Sequence, residues 1–277
     1  MNDPHARKLA APGGGAVSGL GRPGATDVGK VYLVGAGPGA ADLLTVRAAN
    51  LLARAQVVFH DALVQEDVLA LAPQAQRIAV GKRCGAHSTS QRFINKRLVD
   101  AAARFAVVVR LKGGDPMLFG RAQEEIDALA AAGVEVEVVP GVTAALAAAA
   151  DLRVSLTRRG VARSVAMVTP RTGDGEAPHA WAASVARVDT AVIYMGAGQA
   201  GDLVTALVSA GVPLDRPVVL VENAGRADAC WQAGALDELP ALAARRGDGP
   251  ALIVLGDVAA GLAAATRPAS FPQRATA

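Results

Sequence analysis

Arg110-Leu111-Lys112-Gly113-Gly114-Asp115-Pro116-Met117-Leu118-Phe119-Gly120-Arg121 is the stretch on which the reading of the fold turns. In front of it, Ala106 to Val109 is an apolar, β-branched run that reads as a buried parallel strand. Behind it, Ala122 to Ala132 reads as a helix with Ile126 and Leu129 on its apolar side. A basic pair, two glycines, an acid, a proline and a further arginine are therefore gathered at the carboxyl end of a strand, where open α/β sheets bind ligands. Gly113 and Gly114 allow the backbone to approach a ligand closely, since no Cβ intervenes. A plain strand-to-helix turn accounts for Gly-Gly-Asp-Pro. It does not require Arg110, Lys112 and Arg121.

The same alternation extends upstream. Lys30 to Val34 is a short strand running into Gly35-Ala36-Gly37-Pro38-Gly39, and Val46, Ala49 and Leu52 give helical spacing from near Thr45. Val57 to His60 is a second strand, ended by Asp61, and a third lies around Arg77 to Val80. The loop Gly81-Lys82-Arg83-Cys84-Gly85-Ala86-His87 follows, with Ser88 to Ser90 as caps for the next helix. On that helix Ile94, Leu98, Ala101 and Phe105 form one stripe. Glu135 to Val139 is the next strand, closed by the turn Pro140-Gly141-Val142-Thr143.

Downstream, the small-residue run Ala144 to Ala150 reads as a closely packed helix. Strands are expected at Ser164 to Val168, Ala191 to Met195, Val218 to Val221, Cys230 to Gly234 and Ala251 to Leu255. Helices are expected at Ala200 to Ala210 and Leu236 to Ala244, and an exposed loop at Thr172 to Pro178. Strands alternating with helices predict two α/β domains with mostly parallel sheets. The expected division is a flexible extension over residues 1–29, an N-terminal domain over 30–143, a C-terminal domain over 144–265 and a frayed tail over 266–277.

Composition narrows the function. In a chain of 277 residues, 52% are hydrophobic but only 3% aromatic, so the core must be built from Ala, Val and Leu. A net charge of +3 is too mild for a nucleic-acid binder, and local basic groups suit a small anionic substrate instead. No apolar stretch reaches the roughly 18 residues of a membrane span. Cys84 and Cys230 make neither a disulfide framework nor a metal site, which points to a cytoplasmic enzyme with free thiols.

The first loop also has a competing reading. Gly35-x-Gly37-x-x-Ala40 follows a strand and Asp61 ends the next one, as in dinucleotide-binding folds. Against this, Pro38 lacks the backbone N–H that a pyrophosphate cradle uses, and Gly113-Gly114-Asp115-Pro116 is left without a role.

Taken together, several stretches resemble the uroporphyrinogen-III C-methyltransferases, a branch of the tetrapyrrole methylases. They are Val31 to Gly39, Val80-Gly81-Lys82-Arg83, Arg110 to Arg121, Val138 to Thr143, Leu156-Thr157-Arg158-Arg159, Tyr194-Met195-Gly196 and Val221-Glu222-Asn223, in the family's order. The resemblance implies the tetrapyrrole methylase fold, with S-adenosylmethionine in a cleft between two domains and S-adenosylhomocysteine as its product. It implies double methylation of uroporphyrinogen III to precorrin-2 through precorrin-1, for sirohaem or cobalamin, by a homodimer.

By position, the cofactor contacts fall on Pro38, Gly113, Gly114, Asp115, Leu118, Thr143, Ala144, Met195 and Ala224. The family's proton acceptor and donor fall on Asp61 and Lys82. Arg83, Arg110, Lys112, Arg121, Arg158 and Arg159 are the candidates to hold the substrate's carboxylates, since arginine suits bidentate contacts. This chain departs from the family at His60, where Tyr is common, at Thr169-Pro170-Arg171, where Thr-Gly-His is common, and at Cys230-Trp231.

Overall fold

The computed structural model describes residues 28–81, 91–173, 180–263 and 269–270. The loop carrying Lys82, Arg83 and His87 therefore lies outside the described residues, as do most of the extension and of the tail.

The first half builds one parallel sheet from β1 (Lys30–Gly35), β2 (Val57–His60), β3 (Gln76–Ala79), β4 (Val107–Lys112) and β5 (Val136–Val139), in the order β3-β2-β4-β1-β5. Successive residues of a strand face opposite sides, so Phe59 and Val108 join one core while Val58 and Val109 join the other. The helices α1 (Val46–Ala53) and α2 (Glu66–Leu69) cover the second of these faces. The first is covered by α3 (Gln91–Ala102) and α4 (Ala122–Ala131). Thr45 caps α1 by accepting the Ala48 N–H at 3.2 Å.

Strand β4 runs three residues further than its apolar run predicts and takes in Arg110, Leu111 and Lys112. Leu111 is fully buried on the α1–α2 side. Its two charged neighbours therefore point to the α3–α4 side, where a buried acid receives them.

The second half opens with α5 (Ala144–Leu152), whose Ala145, Ala147 and Ala148 pack against Val192, Val219 and Val254 of the second sheet. That sheet contains β6 (Val165–Val168), β7 (Thr190–Tyr194), β8 (Pro217–Glu222), β9 (Cys230–Ala235), β10 (Ala251–Gly256) and β11 (Ala269–Ser270), in the order β11-β9-β8-β10-β7-β6. Its other face carries α6 (Trp181–Val185), α7 (Ala200–Ser209) and α8 (Leu239–Ala244), while α9 (Ala260–Ala263) follows β10.

Parallel order holds throughout the first sheet but only for the β6–β7 pair in the second. Every other pairing there is antiparallel. The short β8–β9 connection lacks the chain needed for a parallel crossover, so these strands turn back on each other. Within the expected tail, Ala269 and Ser270 pair with Trp231 and Cys230.

Candidate active site

Three glycine loops close the carboxyl ends of β1, β4 and β5, and they are packed backbone against backbone. Gly37 and Gly114 exchange hydrogen bonds of 3.2 and 2.7 Å. A Cβ on Gly35 would lie 2.5 Å from the Gly141 Cα, and one on Gly141 would lie 2.3 Å from the Gly114 oxygen. Asp115 locks this arrangement by accepting the N–H of Met117 at 2.8 Å and that of Gly141 at 2.9 Å. The first glycine loop thus serves its neighbours rather than a pyrophosphate. A 3₁₀ turn (Ala41–Leu43), not a long helix, follows it. The dinucleotide reading fails on both counts.

The loops of the second half meet these. A Cβ on Gly225 would come within 2.5 Å of the Pro38 ring, and the Gly225 carbonyl accepts the Ala40 N–H. The side chain of Arg226 reaches the Leu63 carbonyl at 3.2 Å. The hydroxyl of Tyr194 shares a 2.6 Å hydrogen bond with Thr143 and accepts the Ala145 N–H at 3.1 Å. Burial pushes that hydroxyl above its usual range, a shift its two partners partly offset. The Phe119 and Tyr194 rings lie 5.2 Å apart. Phe119, Arg121, Met195 and Asn223 all adopt left-handed backbone conformations, a form of strain that gathers at ligand sites.

Beneath the loops lies a buried charge network. The Arg110 guanidinium donates to Asp61 at 2.5 Å and, through Nε, to Glu125 at 3.0 Å. The Lys112 ammonium donates to the other Glu125 oxygen at 2.9 Å, and Gln91 adds a bond to Glu125 at 3.1 Å. Arg110 and Lys112 are 3% and 2% exposed and Glu125 is wholly buried, whereas the Asp61 side chain keeps 31% exposure. Burial alone would lower the Arg110 pKa, but the Asp61 and Glu125 charges outweigh it and the net shift is upward. For Lys112, burial and then the Arg110 charge win, and the shift is downward.

Asp61, Gly81, Gln91, Arg110, Lys112 and Arg121 border a cavity of about 260 Å³. Asp61 thus presents a carboxylate with one oxygen anchored to Arg110 and an exposed edge toward the cavity, a disposition suited to accepting a proton.

The structure brings most of the sequence candidates together. Pro38, Gly113, Gly114, Asp115, Thr143, Met195 and Ala224 occupy these mutually contacting loops or the residues next to them, and Leu118 donates its N–H to the Asp115 carbonyl. Arg121 stands exposed at the cavity rim, paired with Glu124 at 2.6 and 2.8 Å. That pairing holds the Glu124 carboxyl below its usual range. Arg158 and Arg159 are exposed on a tight turn closed by the Arg158–Ala162 bridge and do not border the cavity. Arg110 and Lys112 lie within the strand, buried, with their charges paired to Asp61 and Glu125.

Glu125, Gln91 and Tyr194 are absent from the sequence-derived site. Glu125 does leave a signal, because it falls on the buried side of α4 with Ala122 and Leu129, and an acid on an apolar stripe needs a buried partner.

Residues 30–240 match the family described as Tetrapyrrole (Corrin/Porphyrin) Methylases. A uroporphyrinogen-III C-methyltransferase of Pseudomonas aeruginosa is 42% identical over 231 residues, 83% of this chain and 94% of that protein. Siroheme synthase 1 of Klebsiella pneumoniae subsp. pneumoniae is 43% identical over 233 residues, 84% of this chain but 49% of that one, so the chain spans about half the length of such relatives. The uroporphyrin-III C-methyltransferase of Thermus thermophilus, solved with S-adenosylhomocysteine, has a TM-score of 0.73 at 42% identity, covering 83% of this chain and 98% of its own. On this agreement of sequence, fold and loop geometry, the chain belongs to the tetrapyrrole (corrin/porphyrin) methylase family.

Proposed function

We propose that this protein methylates uroporphyrinogen III twice, at C2 and C7, with S-adenosylmethionine as donor, giving precorrin-2 by way of precorrin-1. The observation that carries the reading is the anchored, part-exposed carboxylate of Asp61 at the floor of the cavity, beside strained loops of the family's pattern.

The loops fit the cofactor. A Cβ on Gly114 would find only the Thr143 Cα, 4.0 Å away, and one on Gly113 only the Leu63 side chain at 3.6 Å, so both glycines face space that a ligand can enter. Met195, 43% exposed, offers it an apolar surface. We assign Pro38, Gly113, Gly114, Leu118, Thr143, Ala144, Met195 and Ala224 to its binding, with Asp115 holding the Gly113 and Gly141 loops in register. The cofactor supplies a methyl group on a cationic sulfur, an electrophile for an electron-rich ring carbon. The protein has no strong nucleophile to generate, and its task is alignment. Asp61 accepts the proton that the macrocycle gives up after the new carbon–carbon bond forms. By the same resemblance Lys82 donates a proton, and Arg83, Arg121, Arg158 and Arg159 hold substrate carboxylates. We further propose that the domains divide at 143/144 and that two copies pair.

Asp61→Asn tests the assignment. Methyl transfer in a single turnover should fall roughly 100-fold, while calorimetry shows S-adenosylhomocysteine binding unchanged. A wild-type protein that binds the cofactor tightly yet puts no labelled methyl on the macrocycle would instead be a tetrapyrrole-responsive regulator.

A further inference from the structure

We infer that Glu125, which cannot reach substrate, is a positioning residue that sets the reactivity of Asp61 through Arg110. The inference rests on the assignment of Asp61 just made. Glu125 is fully buried and sits on α4, 64 positions along the chain from Asp61. What links them is one guanidinium: Nη2 holds Asp61 while Nε holds Glu125. A planar guanidinium held at two edges cannot rotate, so the Asp61 oxygen it anchors is fixed as well.

The charges support this view. The groups facing one another are Asp61 from the end of β2, Arg110 and Lys112 from β4, and Glu125 from α4, with uncharged Gln91 from α3 and Arg121 at the cavity edge. Asp61, Arg110, Lys112 and Glu125 carry two charges of each sign. Removing the Glu125 charge would leave two cations against Asp61 alone. Both would then draw on Asp61, and the oxygen that Arg110 anchors would lose its fixed place. A glutamine in place of Glu125 would also set an amide donor against either Arg110 or Lys112, neither of which has an acceptor to offer in return.

The test combines Glu125→Gln with Asp61→Asn in a double-variant cycle, using the full chain. The expected result for Glu125→Gln is a fall in kcat of about ten-fold or more, with KM for S-adenosylmethionine and calorimetric S-adenosylhomocysteine affinity unchanged. Combined with Asp61→Asn, it should cause no further loss, since both act on one group. Where Glu125→Gln fails to fold, Glu125→Gln with Lys112→Met removes one charge of each sign and enters the same cycle. A folded variant with wild-type kcat overturns the inference, and so does a loss that multiplies that of Asp61→Asn. Failure of the wild type to methylate would instead strike the proposed function.

Discussion

Gly141 carries a constraint set by the neighbouring loop, because its α-carbon faces the Gly114 carbonyl and the Gly35 backbone at once. A methyl group there would push apart the loops of β1 and β4, which hydrogen-bond each other through Gly37 and Gly114. Gly141→Ala should lower stability by roughly 1–3 kcal/mol in urea unfolding, the cost of forcing volume into a packed site. Gly198 is the control. It lies in the short turn Ala197–Gln199 with nothing within 4 Å of a new Cβ, so Gly198→Ala should stay within about 0.5 kcal/mol of wild type. Equal effects at the two positions would refute the close-packed account. Asp115 belongs to the same picture, since both its oxygens serve backbone N–H groups.

Helix α5 shows how one element depends on another. Thr143 stands at its N-cap but makes no side-chain capping bond; the Ala145 N–H is taken instead by the Tyr194 hydroxyl from the end of β7. Tyr194→Phe leaves that N–H and the Thr143 hydroxyl without this partner. A loss of about 1–2 kcal/mol in thermal unfolding is expected. S-adenosylhomocysteine affinity should drop with it, because Thr143 and Ala144 belong to the proposed cofactor site. Unchanged melting and unchanged affinity would show that the cap is dispensable. Elsewhere, Glu222 works in the same structural sense. Its two oxygens accept the N–H groups of Gly247 and Gly249 and so tether the loop before β10, which explains a buried acid without any catalytic role.

For the whole molecule, the polarity of the first sheet brings the loops after β1, β2, β4 and β5 to one end. The second half meets that end through Gly225 on Pro38, Arg226 on Leu63 and Tyr194 on Thr143. Among the described residues, no helix is long and apolar enough to cross a membrane. The proposed pairing of two copies predicts a sedimenting species near twice the 27.9 kDa chain mass at micromolar concentration. A single species at the chain mass would refute it.

Much of this molecule is legible in its amino-acid sequence, because strands, helices and turns follow from local patterns. The apolar runs of β1, β2 and β4, the spacing of Val46, Ala49 and Leu52, and the glycine loops each depend on residues a few positions apart. The order of motifs gathers Asp61 and the glycine loops at the carboxyl ends of the first sheet's strands. The fate of Arg110 and Lys112 is not legible there, since a charged residue at a strand end reads the same whether it meets solvent or a buried carboxylate. Their partners lie 49 positions back, at Asp61, and 13 to 15 positions ahead, at Glu125. The place of β10 between β8 and β7 and the Tyr194 cap on α5 are of the same kind. Both depend on which distant surfaces come to be buried against each other, and burial is a property of the packed chain that no local stretch contains.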